Sequence, residues 1–298
     1  MIPPLLPRLG PTDLLEAAAL VHGRRGSALR SVPDPETTLH VGVDLGTAYV
    51  VVAVVDDEGT PMAVASRFAN VVRDGVVVDF AGATAIVTEL VGEVEGQLGR
   101  ELTTAATTYP PGVAVSEVRA CRYVVEAAGL TCTTLVDEPT AANAVLRLDD
   151  GAVVDIGGGT TGIAVLRDGE VVHVTDAATG GTHVNLVIAG ALGIDVEAAE
   201  VRKTDPAAQP DLLPLITPVF EKIGTIVAGA VREHPVERVH LVGGTAAFPG
   251  IAEVVAERIG VTVEVAPNPL LVTPLGVALH DAVPPDASTA AAREVEHA

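Results

Sequence analysis

The sequence predicts an α/β protein built from two similar lobes, because one pattern of strands and turns occurs twice. Residues 39–65 and residues 151–175 are both rich in β-branched residues. Both are broken first by a Gly/Thr turn and then by an Asp-containing turn that ends in Gly. This pattern predicts an antiparallel meander of three strands in each segment. The spacing from the first Asp to the last Gly is fifteen residues in the first copy and fourteen in the second.

A second pair of segments extends the repeat. Residues 105–146 and residues 238–281 each predict a strand, a loop, a helix, a strand, a tight turn and a final helix. Gly129 and Gly260 follow the first of these helices, where a glycine commonly ends a helix. The chain is therefore expected to hold two β-β-β-α-β-α units with a cleft between them, and the two Gly/Thr turns are expected to bind one polyphosphate.

The repeat fixes the expected domain boundaries. A proline-rich extension precedes the first unit, and a polar, alanine-rich tail that we expect to be flexible follows the second. The expected parts are an N-terminal extension at 1–38, lobe I at 39–150 completed by a C-terminal helix at 272–283, lobe II at 151–271 and the tail at 284–298.

The N-terminal extension contains one predicted helix with a short apolar stripe formed by Leu14, Ala18 and Val21. Two interpretations are open. The helix is a tethered docking element that recruits the protein to a larger assembly. Alternatively, Leu14, Leu15 and Leu20 pack on lobe I as part of its core.

The charge and composition exclude several classes of function. The 298 residues carry 39 acidic and 18 basic side chains, a net charge of −21, whereas a protein that binds nucleic acid or an anionic membrane needs a basic face. Tryptophan is absent and aromatic residues make up 2%, so base-stacking sites have little to be built from. Lys203 and Lys222, the two lysines, stand outside any G-x-x-x-x-G-K-[ST] sequence, which excludes a Walker-A phosphate loop.

The expected compartment is the cytoplasm. No apolar run reaches the roughly 18–20 residues that span a bilayer, and prolines together with Asp13 and Glu16 make the first residues unlike a signal peptide. Cys121 and Cys132 are too few for a disulfide framework or a four-cysteine zinc site, so we expect buried thiols.

Two glycine-containing turns carry the candidate phosphate chemistry. In the first, Asp44-Leu45-Gly46-Thr47, glycine lets backbone N–H groups approach phosphate oxygens and the threonine hydroxyl adds a donor. Asp44 is expected to direct a Mg²⁺ ion through bound waters, because Mg²⁺ releases its water ligands reluctantly. A plain hairpin turn with an acidic residue at the strand end explains this motif equally well.

The second turn is Asp-Ile-Gly-Gly-Gly-Thr-Thr-Gly, residues 155–162. Its glycines match the dinucleotide fingerprint G-x-G-x-x-G, but a strand and not a helix follows them, so we reject that interpretation. Three consecutive glycines cost chain entropy and favour a site where a ligand approaches the backbone closely. We therefore expect phosphate contacts from Gly157, Gly158, Gly159, Thr160 and Thr161 and a metal-directing role for Asp155.

Two further motifs stand at predicted helix starts. Glu138 follows a core strand, where it either caps the helix or orients a water for attack on a γ-phosphate. Gly243, Gly244 and Thr245 lie between a strand and a helix and offer a surface that a nucleoside can approach. A Gly-Gly loop before a helix is common, so the last motif is weak by itself.

Five segments resemble, in the same order, the motifs of the superfamily that contains actin, sugar kinases and DnaK-type chaperones. V-G-V-D-L-G-T resembles its first phosphate loop, V-V-D-I-G-G-G-T-T-G its second and L-V-G-G-T its adenosine loop. V-D-E-P-T-A-A-N-A and T-P-L-G-V-A-L-H-D resemble its two connecting helices. The resemblance implies a two-lobed ATPase fold with duplicated ribonuclease-H-like lobes, ATP with Mg²⁺ as cofactors, and possible ATPase activity.

The resemblance also implies roles for the candidate residues. Asp44 and Asp155 would direct the metal, and Glu138 and Asp155 would be catalytic. The implied nucleotide contacts are Gly46, Thr47, Gly157, Gly158, Gly159, Thr160, Thr161, Gly243, Gly244 and Thr245.

Within this superfamily the chain resembles the EutJ family, DnaK-like proteins of ethanolamine-utilisation operons, in its small size, its N-terminal extension and segments such as T-T-Y-P-P-G and D-A-A-T-G-G-T-H-V-N. This implies an ATP-binding, weakly hydrolysing, chaperone-like accessory factor. Its client would be the cobalamin-dependent ethanolamine ammonia-lyase or the bacterial microcompartment that assembles around it. The alternatives are an actin-like scaffold or filament protein that uses nucleotide as a conformational switch, and a small-molecule kinase, for which no segment supplies an acceptor pocket.

The sequence departs from the chaperone pattern in several places. Lobe I contains no lysine to stabilise the attacked phosphate, and Arg73 is its only nearby cation; Ala48 stands where the first loop usually has a hydroxyl. Only about sixty residues separate the predicted helix at Gly180-Gly181 from the strand at Leu241, so the upper subdomain of lobe II is expected to be nearly absent. The residues expected to replace part of its adenine contacts are Glu197, Glu200 and Lys203.

Overall fold

The computed structural model describes residues 4–22, 33–34, 36–73, 75–111 and 115–281. The contacts between residues divide the chain into two compact units. Unit 1 comprises Met1–Arg147 and Leu271–Ala298, and unit 2 comprises Leu148–Leu270. The tail expected at 284–298 lies outside the described residues.

Unit 1 is built on a five-stranded sheet with the strand order β3-β2-β1-β6-β7. The first three strands form an antiparallel meander, and β1, β6 and β7 are parallel. Its elements up to the boundary are α1 (Pro11–Val21), β1 (Leu39–Leu45), β2 (Tyr49–Asp56), β3 (Pro61–Phe68), β4 (Val72–Arg73), β5 (Val76–Val77), α2 (Phe80–Leu98), β6 (Thr104–Tyr109), α3 (Val115–Ala127), β7 (Thr131–Asp137) and α4 (Glu138–Leu146).

Unit 2 repeats this topology, since its sheet has the order β10-β9-β8-β11-β12 with the same pattern of antiparallel and parallel pairs. The duplicated α/β fold predicted from the sequence is therefore confirmed. Its elements are β8 (Gly151–Ile156), β9 (Thr161–Arg167), β10 (Glu170–Ala177), α5 (Gly181–Leu192), α6 (Val196–Thr204), α7 (Gln209–Glu233), β11 (Arg238–Val242), α8 (Ile251–Ile259) and β12 (Thr262–Val265). Short 3₁₀ turns cover Gly244–Ala247 and Pro269–Leu271, and α9 (Val272–His280) returns the chain to unit 1.

Two glycines let α9 pack against β1 and α4 at backbone distance. A Cβ added to Gly276 would lie 1.8 Å from the carbonyl oxygen of Ala141 in α4, and one added to Gly42 would lie 2.4 Å from the backbone nitrogen of Ala278. Any side chain at these positions would force the helices or the strand apart. The C-terminal helix is thereby a fixed part of unit 1.

A buried carboxylate ties the end of α9 to the sheet. Asp281 is 5% exposed and accepts hydrogen bonds from the backbone N–H of Val41 at 2.9 Å, from Thr133 Oγ1 at 2.5 Å and from Thr104 Oγ1 at 3.2 Å. These donors belong to β1, β7 and β6. Burial raises the pKa of Asp281 to about 6, although the three hydrogen bonds act in the opposite direction.

The N-terminal segment is part of unit 1. Leu14, Leu15 and Ala18 of α1 are fully buried, and the helix packs on β3. The arm ahead of α1 is held as well, because the Arg147 guanidinium donates to the carbonyl oxygens of Pro7 at 2.8 Å and Leu9 at 2.7 Å. The docking hypothesis is therefore wrong for this stripe, since Leu14 and Ala18 already have a partner.

One helix of unit 2 is relevant to the expectation that no apolar run spans a bilayer. Within the described residues, α7 alone is long and apolar enough by length and composition to cross a bilayer. The core helix of a globular unit meets the same criteria, and α7 buries one side in the core of unit 2 through Ile216, Phe220, Ile223 and Val227. Its interior also carries Pro214 and Pro218, and Glu221 and Lys222 follow each other in its sequence.

The packing of α1 predicts a large difference between two leucines of the same helix. Replacing the buried Leu14 by Ala should lower the free energy of unfolding by about 2–5 kcal/mol, because it removes buried methyl groups and leaves a cavity. The matched control is Leu20→Ala, since Leu20 is 57% exposed; its effect should stay within about 0.5 kcal/mol. Urea unfolding measures both, and equal small effects would restore the docking interpretation.

The raised pKa of Asp281 predicts a pH dependence of stability. A carboxyl group whose pKa is higher in the folded state stabilises fully below its unfolded pKa of 3.8, and that contribution is lost as the pH rises through about 6. The free energy of unfolding of the parent minus that of Asp281→Asn should therefore fall by about 2–3 kcal/mol between pH 4 and pH 7. The difference cancels the contributions of the buried histidines common to both proteins. Parallel curves would show that this carboxyl group has an ordinary pKa.

Candidate functional site

The glycine loop of unit 2 is fixed by the first turn of α5. The loop covers residues 157–160 and joins β8 to β9, and Gly157 closes it by donating its N–H to the Thr160 carbonyl at 3.0 Å. The carbonyl oxygens of Gly157 and Gly158 accept hydrogen bonds from Gly181 N at 2.9 Å and from Thr182 N at 2.7 Å. The first N–H groups of a helix have no partner within it, so this loop satisfies two of them.

This arrangement directs the other side of the loop away from α5. The described peptide bonds are all trans, and in a trans peptide the C=O and the next N–H point in opposite directions. Because the carbonyls of Gly157 and Gly158 face α5, the N–H groups of Gly158 and Gly159 face away from it. Successive N–H groups that point the same way form a concavity that binds anions.

Asp155 lies beside a second loop at the carboxyl ends of two parallel strands. It pairs with Val242 across β8 and β11, and the next residue, Gly243, has a positive φ of 86°. A Cβ added to Gly243 would lie 2.2 Å from Asp155 Oδ1. Only glycine lets the strand end turn this closely against the carboxylate.

The two loops predicted for phosphate and nucleoside are in direct contact. Thr245 Oγ1 donates to the carbonyl oxygen of Gly157 at 2.9 Å, so this oxygen accepts from both the second loop and α5. A Cβ on Gly181 would lie 2.5 Å from Thr245 Oγ1, which explains the second glycine of the Gly180-Gly181 pair. Unit 2 therefore brings the following predicted residues together: Asp155, Gly157, Gly158, Gly159, Thr160, Thr161, Gly243, Gly244 and Thr245.

In two of the residues predicted to contact the nucleotide, the hydroxyl group has a partner within the protein. Thr161 is fully buried and its hydroxyl donates to the Thr179 carbonyl oxygen at 2.6 Å. Thr245 is 4% exposed and its hydroxyl is engaged by Gly157. Both hydroxyls hold the loops in place, and the nucleotide contacts of Thr161 and Thr245 stay predictions.

A buried ion pair lies next to the start of α5. Glu200 and Lys203 of α6 are 4% and 8% exposed, and Lys203 Nζ lies 2.5 Å from Glu200 Oε2. Asn185 of α5 donates to the same oxygen at 2.7 Å. Glu197, the third residue predicted for this region, is exposed on the first turn of α6. The pair Glu200 and Lys203 is thus the part of that prediction that lies near the glycine loop.

Unit 1 carries the remaining predicted residues. Asp44 is half-buried near the end of β1, and Gly46 and Thr47 form the turn into β2. A Cβ added to Gly46 would lie 2.6 Å from the carbonyl oxygen of Tyr49, so this turn requires a glycine for its own geometry. The interpretation as a tight hairpin turn therefore accounts for Gly46 without a ligand, and its phosphate contact stays a prediction.

The side chain that caps α4 is that of Asp137 and not that of Glu138, for which capping was the alternative to a catalytic role. Asp137 is the N-cap of α4 and accepts from Thr140 N at 2.9 Å, while Glu138 and Pro139 occupy the first two helical positions. Burial raises the pKa of Cys121 to about 12, and the Glu138 and Asp44 carboxylates add to the shift. Both carboxylates therefore lie close enough to this buried thiol for their charges to act on it.

The donor set of unit 2 fits a nucleotide with a hydrated divalent cation. The glycine loop offers backbone N–H groups for phosphate, and the Asp155 carboxylate stands beside it. Among the described residues, no cluster of three or more His, Cys, Asp or Glu side chains can hold a metal ion by itself. Mg²⁺ in phosphate sites commonly uses one or two carboxylates together with waters and phosphate oxygens, so the single carboxylate is sufficient.

The glycine loops could be recognised in the sequence, but the hydrogen bonds that hold them in place could not. The T-G-G-T segment before α5 is not among the predicted phosphate or nucleoside motifs, although the N–H groups of Gly181 and Thr182 are the ones that fix the loop. The sequence assigns no role to Asn185, because a single amide in an apolar helix has no spacing pattern of its own. Only the contact with Glu200, fifteen residues away, shows its place.

Comparison with known proteins agrees with this geometry. The family model of the type IV pilus assembly protein PilM matches residues 122–274. The ethanolamine utilization protein EutJ of Escherichia coli (strain K12) is 42% identical over 244 residues, which cover 82% of this chain and 86% of that protein. The crystal structure of the ethanolamine utilization protein EutJ from Carboxydothermus hydrogenoformans superposes with a TM-score of 0.84 at 44% identity, covering 91% of this chain and 98% of that one.

More distant relatives share the fold. The chaperone DnaK of Akkermansia muciniphila is 32% identical over 151 residues, 47% of this chain and 23% of the chaperone. MreB 5 of Spiroplasma citri bound to AMPPNP has a TM-score of 0.62 at 16% identity, covering 88% of this chain and 99% of that one. The duplicated topology, the fixed glycine loop and the EutJ relatives lead to one conclusion: the chain belongs to the EutJ family of ethanolamine utilization proteins, which has the actin-like ATPase fold.

Proposed function

We propose that the protein is an ATP-binding, weakly hydrolysing, chaperone-like accessory factor of ethanolamine utilisation that works in the cytoplasm. Its proposed client is the cobalamin-dependent ethanolamine ammonia-lyase or the assembling microcompartment around it. The observation that supports nucleotide binding most directly is the glycine loop, whose carbonyls accept hydrogen bonds from α5 so that its N–H groups point away from that helix and are available to an anion.

Each residue of unit 2 has a proposed task in this function. The N–H groups of Gly158 and Gly159 hold phosphate oxygens, and the Asp155 carboxylate holds waters of a bound Mg²⁺ ion. Gly243 and Gly244 have no side chains, so the flat face of the nucleoside can lie against their backbone. When bound, Mg²⁺ neutralises phosphate charge. Asp44, Gly46 and Thr47 of unit 1 stay predicted contacts of the same nucleotide, with Asp44 as the second metal-directing carboxylate.

Glu138 is the proposed group that orients the attacking water. Because Asp137 caps α4, the carboxylate of Glu138 is not required for the cap. Lobe I supplies no lysine to stabilise the attacked phosphate. The missing cation is the reason that we propose slow hydrolysis.

The first test concerns Asp155. Asp155→Ala should abolish Mg²⁺-dependent ATP binding in calorimetry, because it removes the charge that attracts the metal, while the circular dichroism spectrum stays that of the parent. Asp168→Ala is the matched control, since Asp168 lies on the exposed turn between β9 and β10. If Asp155→Ala binds Mg·ATP as tightly as the parent, the glycine loop is not the phosphate site.

The second test concerns Glu138. Glu138→Gln should keep ATP affinity within a few-fold and lower steady-state phosphate release by roughly 10²-fold, as expected when a group that orients a nucleophile is lost. The control variant Glu126→Gln alters an exposed carboxylate of α3 that pairs with Arg122. Unchanged turnover in Glu138→Gln would leave this glutamate with a structural role at the helix start.

Assays on the unmodified protein distinguish the proposed function from its alternatives. Light scattering with and without Mg·ATP detects a filament, and sedimentable polymer would favour the actin-like scaffold. Phosphate release in the absence of any acceptor would count against a small-molecule kinase. A chaperone-like factor should instead form a nucleotide-dependent complex with purified ammonia-lyase or shell protein in analytical ultracentrifugation.

A further inference from the structure

A buried amide on α5 contacts an ion pair that the glycine loop does not use. Asn185 is 3% exposed, and its Nδ2 donates to Glu200 Oε2 at 2.7 Å. Lys203 Nζ donates to the same oxygen at 2.5 Å. A carboxylate accepts and cannot donate, so the amide must present its N–H group to it. One carboxylate oxygen thus joins two helices, α5 and α6.

The position of the ammonium is unfavourable without this carboxylate. A Cβ added to Gly181 would lie 3.1 Å from Lys203 Nζ, so the charge lies beside the first turn of α5. The start of a helix carries a partial positive charge, which repels a cation. Glu200 offsets that repulsion, and a second donor on the same oxygen keeps the carboxylate from rotating away with the lysine.

Packing alone does not account for an asparagine at this position. Asn185 Oδ1 is buried and has no hydrogen-bond partner among the described residues. A buried polar atom without a partner costs stability, and a leucine of similar size would avoid that cost. The amide is therefore better explained by what its N–H group holds.

We propose that Asn185 is a positioning residue: by holding Glu200, it keeps the Lys203 ammonium beside the start of α5, next to the loop that binds phosphate. The proposal rests on the proposed function, since it assigns the ammonium a part in nucleotide affinity. It involves two claims that can be measured separately. The first is that Asn185 immobilises Lys203 in the protein without ligand, and the second is that this increases affinity.

The first claim is tested by chemical labelling of the protein without nucleotide. The chain has two lysines, and the exposed Lys222 is an internal reference for the buried Lys203. Brief treatment with acetic anhydride followed by mass spectrometry gives the ratio of acetylation at the two sites. Asn185→Leu should raise the ratio Lys203 to Lys222 at least five-fold. Thr204→Val is the matched control, because Thr204 Oγ1 donates to the backbone oxygen of Glu200 and not to its carboxylate; its ratio should stay within two-fold of the parent.

The second claim is tested by a double-mutant cycle on the affinity for Mg·ATP. Asn185→Leu and Lys203→Met should each raise the Kd about ten-fold, and the double variant should be no weaker than Lys203→Met. That non-additivity distinguishes action through Lys203 from a general loss of structure. Additive losses, or a lower melting temperature in Asn185→Leu with unchanged Kd, would overturn the positioning role.

The outcomes of the two tests are distinguishable. If the parent protein binds no nucleotide, the proposed function fails, while the labelling ratio still decides whether Asn185 immobilises Lys203. An unchanged ratio in Asn185→Leu overturns the proposal whatever the affinities are. If Asn185→Leu does not fold, Asn185→Ser is used for both tests, because its short side chain cannot span the contact to Glu200.

Discussion

The hydrogen bonds between the first turn of α5 and the glycine loop are the interaction on which the rest of unit 2 depends. A loop of three glycines has many accessible conformations, and nothing in its own side chains selects one. The backbone N–H groups of Gly181 and Thr182 select it, since they need acceptors that the helix cannot supply. The need of the first N–H groups of α5 for acceptors therefore orders the loop. It also sets the direction of the loop's own N–H groups, without any contribution from a ligand.

Glycine stands at several other positions where the main chain approaches a neighbouring element closely. Gly42 and Gly276 let α9 lie on β1 and α4, and Gly243 lets a strand end pass beside Asp155. In each case a main-chain atom lies too close for a side chain, and for Gly243 it is the carbonyl oxygen of Ile156, 2.6 Å from an added Cβ. A main-chain atom cannot move as the tip of a flexible side chain can. These glycines are thus fixed by packing geometry, and a nucleotide is not needed to explain them.

The fold could be predicted from the sequence to a large extent, and the site only in part. The strand meanders and the glycines that end helices are local patterns, so both lobes and the order of their elements along the chain could be predicted. The choice between docking and packing for Leu14 could not, because an apolar stripe looks the same whether its partner is this chain or another. The contacts of Asn185 and Asp281 join residues distant in sequence, and no spacing rule connects Asp281 with Thr133 or Val41.

The hydrogen bonds between Arg147 and the N-terminal arm have a consequence for the order in which the contacts of unit 1 form. Arg147 is the last residue of the first of the two segments that make up unit 1, and its own backbone is in the left-handed conformation with a φ of 55°. The carbonyl groups of Pro7 and Leu9 that accept hydrogen bonds from its side chain lie 140 and 138 residues earlier in the chain. The contacts of the arm with Arg147 can therefore form only after α4 has been synthesised, whereas its hydrogen bond from Arg8 N to the carbonyl oxygen of Glu58 joins residues that are much closer in sequence.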